Sequence, residues 1–196
     1  MMLDVGLLIL LLAVSLWLCW SAKPHQDTEW SGEQAADMAS GLILAAAAIG
    51  NLWLQISGND SAILLLDSLA WYAALPLLVS VRMIQAAQGL GMAWYWDRMI
   101  WGRVLLALCV VFELCRRANQ LDIILYVTAA SGAVSLILMA IKPLFKTELF
   151  VLASLWIAMS AAYVLYQPIN ISGLLIPTFL ILVFKLSRHI PPTKSH

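Results

Sequence analysis

Seven long apolar runs, separated by short polar connections, constrain this chain more than any other feature of its sequence. An α-helix rises about 1.5 Å per residue, so about 20 mostly apolar residues are needed to cross roughly 30 Å of hydrocarbon. The runs are Leu3–Ala22, Met38–Ile56, Ala62–Val81, Met99–Cys115, Ile123–Ile141, Leu149–Tyr166 and Ile171–Phe184. They predict an all-α fold: a polytopic membrane helix bundle of about seven transmembrane helices, forming a single integral membrane domain over residues 1–196. Only Gln167, Pro168 and Asn170 interrupt the last two runs, and the seventh is short, so a broken or re-entrant hairpin is the alternative there.

Composition agrees. The chain is 63% hydrophobic and only 11% charged, with a mean hydropathy of +0.90. Soluble domains carry about 25% charged residues, so this chain has too few polar side chains to cover a water-facing surface. That excludes a soluble enzyme and a disordered protein. With 11 basic and 11 acidic residues, there is no positive surplus for phosphate contacts, and nucleic acid is excluded as a partner.

The first run reads as a retained helix rather than a cleaved leader. Met1, Met2, Leu3 and Asp4 offer no positive charge before it, and Trp20 stands where a cleavage site needs a small residue. With seven spans, nine lysines and arginines fall on one side, among them Lys23, Arg82, Arg98 and Lys185, against Arg116 and Arg117 on the other. The positive-inside rule then puts the N-terminus outside and the C-terminus in the cytoplasm, in a plasma membrane or a bacterial inner membrane. Trp94, Tyr95, Trp96 and Trp101 crowd the cytoplasmic boundary, where amphipathic rings form an interfacial belt.

Several chemistries lack their residues. His25, His189 and His196 all lie in loops or the tail, so no span offers axial haem ligands or a helix-borne zinc site. Cys19, Cys109 and Cys115 have no CxxC spacing, which argues against a thiol oxidoreductase. Thr128–Ala133 resembles the serine motif of rhomboid proteases, but Ala129 replaces its first glycine and no later span holds a histidine to activate Ser131. The small residues Ala129, Ser131, Gly132 and Ala133, like Ala46 and Gly50, instead suit close helix approach. Lys185 sits at the end of its span, as a snorkelling anchor rather than a retinal-binding lysine, and no phosphate-binding glycine loop is present. The expectation is a protein that is not an enzyme and has no cofactor and no metal.

The polar residues inside the spans carry the functional argument. Asp67 lies about five residues, roughly 8 Å, inside the third span. At the centre of a span an aspartate costs about 2.5–3.5 kcal/mol on the insertion scale, so it requires a partner, a wet cavity or a proton. Glu113, near the outer end of the fourth span, has Arg116 and Arg117 at the i+3 and i+4 positions where side chains meet; Asp67 has no such local partner. Asn51 and Gln55, with Tyr163, Tyr166, Gln167 and Asn170, share that outer third. If these faces converge they form a polar vestibule for a small solute or ion, with Asp67 its deepest acid. The competing interpretation is a helix–helix contact that fixes register.

Pro76 and Pro177 fall within spans, where transporters use helix breaks at binding sites. Gln55–Leu64 and Gln167–Leu175 share a Gln, an Asn-x-Ser and an aliphatic run, which suggests a parallel 3+1+3 repeat. That arrangement resembles the small sugar carriers with a Pro-Gln motif, but Pro-Gln is missing and Gln167-Pro168 reverses it, so no membership follows. The reading is a small-solute or ion transporter or channel. The alternative is a non-catalytic subunit or assembly factor of a larger membrane complex. Expected partners are membrane lipid, a small solute or ion, and a membrane protein or a second copy of the chain.

Overall fold

The computed structural model describes residues 2–23, 31–57, 63–89, 98–140, 151, 154–160 and 171–187. In order these form α1 (Met2–Ser21), α2 (Gly32–Ser57), α3 (Ile63–Leu69), a π-helical turn (Ala70–Ala74), α4 (Leu75–Gly89), α5 (Arg98–Arg117), α6 (Leu121–Ala140), α7 (154–160), a 3-10 turn (Ile171–Leu174) and α8 (Leu175–Ser187). No strand occurs among the described residues.

Four helical stretches are long and apolar enough to cross a membrane: Asp4–Ser21, Gly32–Gln55, Leu65–Gln88 and Leu121–Leu138. They answer the first, second, third and fifth expected spans. The expected fourth span forms α5, which carries Arg98, Arg103, Glu113, Arg116 and Arg117. The expected seventh appears as a shorter apolar helix, Ile171–Val183. Most of the expected sixth span and residues 167–170 of the suggested repeat lie outside the described residues, as does Trp94–Trp96.

The apolar residues face both ways. α1 buries Leu8, Leu11, Val14 and Leu18 against α2 and α8 while exposing Ile9, Leu10, Leu16 and Trp17. Similar outward faces occur on α2 (Leu42, Ile49, Trp53), α6 (Ile123, Val127, Val134) and α8 (Ile176, Phe179). A helix in water would turn polar residues outward, so this pattern fits an apolar surround. Buried hydroxyls bond back to their own helix: Ser15 Oγ donates to the Leu11 carbonyl at 2.7 Å and Thr128 Oγ1 to that of Ile124 at 2.7 Å. No partner helix is then needed to satisfy them.

The helix ends follow from local chemistry. α2 starts at Gly32 rather than at Met38, where the expected span begins, because Ser31 and Gln34 form a capping box. The Gln34 amide donates to Ser31 Oγ at 3.2 Å, and the Ser31 amide donates to Gln34 Oε1 at 3.1 Å. Ser31→Ala is expected to cost about 1 kcal/mol, and faster hydrogen exchange at the Gln34 amide would show it. α5 turns into α6 through Asn119, whose φ of 52° is left-handed; the Gln120 amide donates to the Cys115 carbonyl at 2.9 Å. Asparagine tolerates that cap conformation.

Neither proline breaks its helix. Pro76 lacks an N–H and crowds the carbonyl four residues earlier. The chain accommodates it by widening into the π turn, in which the Leu75 amide bonds to the Ala70 carbonyl. The helix continues past Val81 to Gly89. Pro177 falls in the first turn of α8, where intrahelical N–H bonds are not yet required.

The main core joins Leu11 and Leu18 of α1, Leu44 and Ala48 of α2, Trp71 in the π turn, Leu78 of α4 and Leu174 of the 3-10 turn. Gly132 admits Trp156: a Cβ there would overlap the indole ring, whose Nε1 donates to the Ala129 carbonyl at 3.0 Å. The small residues of α6 therefore seat an aromatic side chain from α7.

Candidate functional site

The group around Asp67 begins with a close approach. At Gly50 a Cβ would lie 2.9 Å from Leu66 Cδ1, so the missing side chain lets α3 approach α2. One residue further along each helix, Asn51 Nδ2 donates to Asp67 Oδ1 at 2.5 Å and also to the Ala47 carbonyl at 3.0 Å. Asp67, with no evident partner on its own helix, thus receives one from the neighbouring span. That partner is a neutral amide. Both residues are partly buried.

Glu113 meets the partners its spacing predicts. Arg116 donates through Nε at 2.9 Å and Nη2 at 3.0 Å, and Arg117 through Nε at 2.9 Å. The two arginine side chains are 58% and 76% exposed, so this triad faces outward instead of reaching Asp67. Among the described residues no bond joins it to the Asn51–Asp67 pair. Gln55 is exposed at the end of α2, and Tyr163, Tyr166, Gln167 and Asn170 lie outside the described residues. Tyr72 of the π turn packs against Phe112 of α5, with ring centroids 6.1 Å apart.

A second polar group, at the opposite end of α2, escaped the sequence reading. Asp37 and Arg82 are 2% and 3% exposed. Arg82 Nη2 lies 2.9 Å from Asp37 Oδ1 and 3.0 Å from Oδ2. Arg82 Nη1 donates to Gln85 Oε1 at 2.9 Å, and Gln85 Nε2 donates to Glu33 Oε2 at 2.8 Å. Residues at i and i+4 on α2 thus engage residues at i and i+3 on α4, each pair on one helix face. The apolar runs 38–56 and 62–81 stop just short of Asp37 and Arg82, so hydropathy alone leaves both residues outside the spans. The available signal was their opposite charge at matching depth on adjacent antiparallel helices. With Arg82 buried it no longer counts toward loop charge.

The two groups differ chemically. At Asp37 a buried carboxylate is neutralised by a guanidinium. At Asp67 a carboxylate within an apolar helix is met by a neutral amide, and among the described residues no cation is bonded to it. Among the described residues no three His, Cys, Asp or Glu side chains gather as they would around a metal ion.

Set against protein-family models, curated proteins and solved structures, the chain matches none. Its class therefore rests on its own geometry: an all-helical protein with four helices long and apolar enough to cross a membrane.

Proposed function

We propose that this protein is a small-solute or ion transporter or channel with its polar site in the outer half of the bundle, centred on Asp67. The reading takes seven crossings, an external N-terminus and a cytoplasmic C-terminus, in a plasma membrane or a bacterial inner membrane, and assigns no enzymatic activity and no cofactor. One observation carries it. Asp67 lies in an apolar helix with a neutral partner, Asn51, just ahead of a π-helical turn. Ionisable residues within membrane helices mark ion and substrate pathways by default, and π turns frequently mark functional sites. Asn51 is the partner of Asp67 in that site, and Gln55, Glu113, Arg116 and Arg117, which make no bond to it, are read as polar residues of the same outer half.

The test is flux in liposomes holding the purified protein, with sodium, potassium and proton gradients as probes. Wild-type protein should carry at least one of them, and Asp67→Asn should lower that flux about tenfold or more while the protein still inserts. Undiminished flux with unchanged pH dependence in Asp67→Asn would remove Asp67 from the mechanism. Absent flux, together with a partner protein retained through mild detergent extraction, would favour the subunit reading.

A further inference from the structure

The helix spanning residues 63–89 touches α2 through polar side chains at both of its ends, and the π turn Ala70–Ala74 lies between them. Before the turn, Asp67 accepts from Asn51. After it, Arg82 binds Asp37, and Gln85 binds Glu33. The surrounding packing changes at the same place. α3 packs on α2, which packs on α1, and α1 on α8; α4 packs mainly on α6 while keeping a contact with α2 as extensive as that of α3. The π turn is therefore where one continuous helix, resting on α2 along its length, gains α6 as its main partner. Beyond it, the inner ion pair is the charged tie from α4 back to α2.

The tie is incompletely satisfied. Arg82 Nε is buried without an acceptor, and Arg82 also lines a small cavity with Ser135, Leu136, Trp156 and Leu180. Water admitted between α2 and α4 would supply the missing acceptor and hydrate both charges, so separation is less costly here than in an apolar seam. Around the tie the seam is apolar, with Ala36 of α2 beside Leu77, Val81 and Ile84 of α4.

We infer that Asp37–Arg82 is a latch: it holds α4 against α2, and when it opens, α4 swings with α6 about the π turn and admits water to the inner end while the outer end stays packed. The inference holds whatever solute crosses the bundle, and flux is not its readout.

Cysteine labelling tests it. In a background with Cys19, Cys109 and Cys115 replaced by alanine, Ala36→Cys reports on the inner seam and Ala47→Cys, buried in the outer half of α2, serves as control. A water-soluble maleimide should label Ala36→Cys about tenfold faster after Arg82→Gln, with Ala47→Cys changed less than about twofold, as expected for local rather than global opening. Adding Pro76→Ala, which restores the missing N–H, should stiffen the turn and bring Ala36→Cys labelling back toward the unlatched background's parent rate. Equal acceleration at both cysteines, as from general unfolding, would overturn the latch, and so would acceleration at neither. Unchanged labelling on adding Pro76→Ala would overturn the π turn as the hinge.

Discussion

Arg82→Met is expected to lower stability by about 3–5 kcal/mol, because it removes the guanidinium that neutralises the buried Asp37 carboxylate. Asp37 and Arg82 are 2% and 3% exposed, so water does not replace the lost guanidinium until the seam parts. Unfolding by SDS titration in mixed micelles would measure the loss. Asp37→Leu combined with Arg82→Met should restore most of it, because an apolar pair of similar volume needs no desolvation. If the single and double variants lost equal stability, the ion pair would be a bystander to packing. The expected recovery concerns stability alone: the double variant would hold the seam shut without a latch.

The second large effect is expected at the α6–α7 contact. Trp156 is 2% exposed, and its truncation to alanine should cost about 3–5 kcal/mol. Gly132→Ala puts a methyl group where the indole sits, and should cost about 1–3 kcal/mol through overpacking. The two should not add: once Trp156 is alanine, the added Cβ meets empty space, and Gly132→Ala should become neutral or stabilising. Thermal unfolding of the four proteins of this cycle in detergent provides the measurement. Full additivity would show that Gly132 acts through its backbone rather than through the ring.

These sites show what the sequence could and could not convey. Apolar runs located α1, α2, α6 and the helix containing Pro76, since length and hydropathy are properties of a segment alone. The Glu113 triad was legible for the same reason: its three members lie within one turn of one helix. Asp67 was legible as an exception to its run, but its partner was not, because Asn51 reaches it only where Gly50 lets α3 approach. Asp37 and Arg82, 45 residues apart, were misassigned because hydropathy treats a charge as the end of a helix, whereas opposite charges at equal depth cancel between helices. The small residues of α6 announced a close contact, but not that a tryptophan would fill it.

The π turn has a consequence for any survey of substitutions along residues 63–89. Each α-helical residue advances about 100° around the axis, so a single buried stripe recurs with a period of about 3.6 residues. The wider turn at Ala70–Ala74 slips that phase. Tolerance to polar replacement should therefore follow one rhythm through α3 and the same rhythm, rotated, through α4. Deleting one residue within the turn would convert it to an ordinary α turn and leave the later side chains aimed as before, whereas a deletion after it would turn every later side chain toward the wrong neighbour.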